Sequence, residues 1–77
     1  MEKRDILEKA GQALYGPEWQ SKLARALDIN VRSVRRWVTG DQNISDGVWN
    51  DIARLLTKNL EDVKGALIEV KKIEVKK

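Results

Sequence analysis

The chain has 77 residues, enough for one small domain with a modest core. Its charged fraction of 35% against a hydrophobic fraction of 42% reads as soluble and globular. It has no cysteine and no histidine, which removes disulfide frameworks, thiolate chemistry, the usual zinc sets and the usual general base.

No apolar run approaches a membrane span or a signal-peptide core, so the expectation is a cytoplasmic protein with no membrane partner. The formal charge of +3 is unevenly spread. Residues 20–40 hold Lys22, Arg25, Arg32, Arg35 and Arg36 against Asp28 alone, five basic groups minus one acid, a local excess of +4. A basic face of this kind suits an anionic partner.

The apolar spacing reads as a series of short helices, and the fold class is all-α. Helix one spans about 3–14, with Ile6, Leu7, Ala10 and Leu14 on one stripe. Gly16 suits a helix end and Pro17 the first turn of the next helix. Helix two runs to about Leu27 and buries Trp19, Leu23, Ala24 and Leu27. Asn30 is an N-cap, with Ile29 and Val34 placed as a hydrophobic staple. Helix three spans about 31–39, and Gly40 closes it. Ser45 repeats the cap, with Ile44 before it and Trp49 at the staple position, so helix four starts at Asp46.

Beyond Leu56 two readings stand side by side. Trp49, Ala53, Leu56, Leu60, Val63, Leu67 and Val70 alternate spacings of four and three, a heptad seam that favours one long helix. Thr57-Lys58-Asn59 has weak helix propensity, and Asn59 would cap a separate fifth helix. The β-branched residues between Ile68 and Val75 also permit a terminal strand. Gly11 and Gly65 interrupt helical patterns at about 1 kcal/mol each relative to alanine, and close backbone packing and plain tolerance both account for them.

The stretch WQSKLARALDINVRSVRRWVTG resembles the helix-turn-helix of the lambda-repressor/Cro (XRE-type) family. Gln20, Leu23, Ala24, Ile29, Val34, Trp37 and Gly40 stand where that family places like residues. NISDGVWNDIARLL resembles its fourth helix, and the two together cover about half the chain. Asp28 departs from the glycine often found in the turn. The resemblance implies a bundle of four to five helices at 1–58, followed at 59–77 by a C-terminal helical extension outside the family pattern.

It also implies a sequence-specific, double-stranded-DNA-binding transcriptional regulator of the repressor type, whose third helix enters the major groove. Carried over position by position, Val31, Arg32, Ser33 and Arg36 are the base readers. Gln20, Lys22, Arg35 and Asn43 are the phosphate contacts. Arg25 reads equally as ordinary helix surface. Trp19, Trp37 and Trp49 fall on apolar stripes, as core residues do.

Leu60, Val63, Leu67 and Val70 form an expected dimerisation seam, which makes the partners duplex DNA and a second copy of the chain. The alternative is a helical protein-interaction module, an antitoxin or assembly adaptor, with the same unit as scaffold. No enzyme site is legible, because Asp, Glu, Lys and the lone Tyr15 form no pocket-like pair and no glycine-rich phosphate loop is present. No cofactor, metal or small-molecule ligand is expected.

Overall fold

The computed structural model describes residues 2–73. It is all-helical. Helix α1 is Lys3–Tyr15, a short 3-10 turn is Gly16–Glu18, α2 is Trp19–Leu27, α3 is Val31–Thr39 and α4 is Asp46–Ile73. Among the described residues no helix is long and apolar enough to cross a membrane. No group of carboxylate side chains there is arranged to hold a metal ion.

The joints follow from backbone chemistry. Gly16 takes a φ of 79° after α1, and Pro17 opens the 3-10 turn, where its missing N–H costs nothing. The α2–α3 joint is a Schellman closure. The Ile29 amide donates to the Ala24 carbonyl at 2.9 Å and the Asp28 amide to the Arg25 carbonyl at 3.2 Å. Asp28 itself sits in the left-handed region at φ 57°, ψ 46°, which aspartate tolerates better than most residues.

The Asn30 side chain then accepts the Arg32 amide at 2.8 Å and starts α3. Gly40, at φ 87°, stops it. The Ser45 hydroxyl accepts the Val48 amide at 3.3 Å and starts α4.

The core consists of Leu7, Ala10, Trp19, Leu23, Ala24, Val34, Trp37 and Ile52. Tyr15, Leu27, Ile29, Val31, Val38, Ile44, Val48, Trp49, Leu55 and Leu56 pack around it, half-buried. Helices α1, α2 and α3 pack on one another, and α1 also packs on α4.

Ile6, expected on the inner stripe of α1, is corrected, and Ala53 of the heptad seam is not packed. Ile6 is 43% exposed, whereas Gly11 on the packed side of α1 is buried. A Cβ on Gly11 would overlap the Trp19 indole ring, so the bare backbone is where that ring lies. On α4 it is Ile52, 2% exposed, that enters the core, while Ala53 faces solvent. The larger side chain one rung back buries more apolar area.

The single long helix favoured by the heptad spacing is what forms, and the alternative fifth helix does not. α4 continues unbroken through Thr57-Lys58-Asn59, and the Thr57 hydroxyl donates back to the Ala53 carbonyl at 2.8 Å. The hydroxyl is satisfied inside the helix, so Asn59 caps nothing. No strand occurs among the described residues, and the part of the possible terminal strand at 74–75 lies outside them. The backbone therefore does not break between 58 and 59, and the half-buried residues end at Asn59.

Candidate nucleic-acid interface

Helix α3 divides its sequence between two faces. Val34 is fully buried and Trp37 is 6% exposed, which pins the helix to α1 and α2. Arg32, Arg35 and Arg36 are exposed on the remaining surface, with Val31 and Ser33 half-buried beside them in the first turn. Residues three and four apart are neighbours on a helix, so Arg32 lies next to both Arg35 and Arg36. Like charges in that relation destabilise by about 0.2–0.5 kcal/mol per pair.

No salt bridge among the described residues relieves that repulsion. The salt bridges among the described residues are Arg4–Glu2, Arg54–Asp51 and Lys72–Glu69. None involves Lys22, Arg25, Arg32, Arg35 or Arg36. An uncompensated cationic face of this kind attracts polyanions, and it is displayed on a rigid element anchored by tryptophan.

Part of the expected phosphate set is brought together. Gln20, Lys22 and Arg35 line one polar hollow between α2 and α3, which also receives Arg25, Ser21 and the lone acid Glu18. Arg25 belongs with this group, a placement that α2 surface spacing alone does not distinguish from ordinary solvated charge. The available signal is its i, i+3 relation to Lys22, which puts both on one side of α2.

Asn43 stands apart. It is exposed in the loop after α3 and lines a second hollow with Trp37, Gly40, Gln42 and Ile44, facing Lys3 and Arg4 at the start of α1. Glu2 lines the same hollow and is bonded to Arg4 at 3.2 Å, which leaves Lys3 as its unpaired cation among the described salt bridges. The Trp37 indole N–H is buried at this edge with no acceptor among the described residues.

Val31, Arg32, Ser33 and Arg36 line neither hollow. Of these, Arg32 and Arg36 are exposed and Val31 and Ser33 half-buried. The four seam residues Leu60, Val63, Leu67 and Val70 are all exposed on the far half of α4, away from the basic face in sequence and in packing. Neither family models nor curated proteins nor solved structures yield a match to this chain.

Proposed function

We propose that this chain is a sequence-specific double-stranded-DNA-binding regulator, a helix-turn-helix protein of the lambda-repressor/Cro type acting as a repressor. In this reading α3 lies in the major groove. Arg32 and Arg36 reach guanine O6 and N7, Val31 touches a thymine methyl, and Ser33 bonds a base edge. Gln20, Lys22 and Arg35, with Arg25, hold one phosphate stretch, and Asn43 holds another on the opposite side of α3.

The observation that carries the proposal is a single one. Arg32, Arg35 and Arg36 project from a helix fixed by two buried anchors, and no acid within ion-pairing distance neutralises them. An adaptor that used the same unit only as scaffold has no use for that unrelieved repulsion. The test is selection of bound sequences from random duplexes. The proposal requires enrichment of a defined motif, and recovery of unselected sequence would remove it.

A further inference from the structure

Helix α1 opens on free donors. Its first turn bonds the Asp5 and Ile6 amides to the Glu2 carbonyl, at 3.0 and 3.1 Å. The Lys3 and Arg4 amides have no acceptor among the described residues, and the Glu2 side chain does not cap them. Open amides at the head of a helix carry partial positive charge and favour an anion.

A second feature of the same hollow points to a ligand. Trp37 lines it opposite this turn and is the only buried residue along it, at 6% exposed. Its one polar atom, the indole nitrogen, has almost no accessible surface and no hydrogen-bond partner. Bulk water does not relieve a donor closed off in this way, and an acceptor brought to it recovers the loss. Lys3 and Asn43 are exposed, so their side chains can part to let an oxygen reach the indole.

The charge around the hollow selects the acceptor. Glu2 is bonded to Arg4, and Lys3 is in no salt bridge among the described residues. Gln42 and Asn43 add side-chain amides from the loop after α3. The donors are therefore an ammonium, an indole N–H, open backbone amides and carboxamides. A carboxylate has fewer oxygens to offer such a set than a phosphate has. The hollow, of about 680 Å³, has room for a phosphate together with the groups esterified to it.

We propose that this hollow binds a phosphate oxyanion, held by the Lys3 ammonium, the Lys3 and Arg4 amides and the Trp37 indole N–H. Two sources share that chemistry, a free phosphate and the phosphodiester backbone of a nucleic acid. The site is separate from the hollow between α2 and α3. The inference does not rest on the DNA reading, because free phosphate tests it without DNA.

The first arm of the test is nitrogen-edited NMR of the full chain, following the indole N–H signals of the three tryptophans. Inorganic phosphate is added while sodium chloride holds the ionic strength constant. The Trp37 signal should move saturably at roughly millimolar phosphate, and those of Trp19 and Trp49 should stay in place. Lys3→Gln should weaken this titration about tenfold. Glu2→Gln removes the only acid lining the hollow and should tighten it. Both side chains are exposed, so neither change disturbs the core, and an unchanged Trp19 signal verifies that.

The second arm replaces phosphate with duplex DNA. A Trp37 shift that Lys3→Gln abolishes assigns the site to the phosphodiester backbone. A shift with phosphate alone assigns it to a free phosphate. Either result supports the proposal. A Trp37 signal that ignores both, or that moves equally in Lys3→Gln, overturns it. Duplex binding that survives such a failure leaves the DNA reading intact. A phosphate shift in a chain that binds no duplex removes that reading and keeps this site.

Discussion

Arg32 and Arg35 carry the same charge but occupy different surroundings. Arg32 is in the first turn of α3, the part that approaches base edges in a major-groove reader, whereas Arg35 lines the hollow with Gln20 and Lys22. Arg32→Ala is expected to cost about 1–3 kcal/mol on the preferred duplex and to relax selection at one base pair. Arg35→Ala should weaken all duplexes alike and lower the salt slope by about one. Binding titrations of both variants on the preferred and a scrambled duplex check this, and an identical uniform loss in both contradicts the division.

Two glycines give a matching contrast in stability. Gly65 has open space around its missing Cβ, so Gly65→Ala should stabilise by about 0.5–1 kcal/mol through helix propensity. Gly11→Ala gains the same propensity but drives a methyl into Trp19. It should destabilise by about 1–3 kcal/mol net of that gain. Urea titrations of the two variants should therefore move in opposite directions.

At the scale of elements, the α2–α3 angle depends on one left-handed residue. Asp28 holds φ 57°, which glycine adopts freely and a β-branched residue resists. Asp28→Gly is expected to stay within about 1 kcal/mol of the parent, and Asp28→Val to lose about 1–2 kcal/mol. Thermal unfolding of both measures the difference.

Much of the element plan was legible because caps are local chemistry. Asn30, Gly40 and Ser45 each act on amides or carbonyls a few residues away, and each stands where its residue type requires. Ile6 and Ala53 were not legible from spacing, because the choice between adjacent rungs of a helix is made by what packs opposite. On α1 the close packing of Gly11 is set by Trp19, eight positions beyond it. The continuity of α4 was legible in the 4-3 spacing, which runs through Thr57-Lys58-Asn59 despite their weak propensity. For the candidate site, the exposed arginines of α3 follow from its period. The grouping of Gln20, Lys22, Arg25 and Arg35 depends on how two helices cross, which no local pattern contains.

At the scale of the whole molecule, the two ends differ in kind. The body presents the excess of +4 carried by residues 20–40, and the projecting half of α4 presents an apolar stripe with balanced outer charge. In the proposed account the first meets phosphates, and the second is the seam expected to pair with its own copy. Pairing two weak grips on one duplex raises the affinity through effective concentration, without new contacts.

The central claim is that the basic face around α3 binds duplex DNA. It is tested most directly by equilibrium binding to a random-sequence duplex across a salt series. If one domain neutralises about four phosphates, log K should fall against log salt with a slope near −3.6 per domain, about twice that for a dimer with both domains engaged. A slope near zero would contradict the claim.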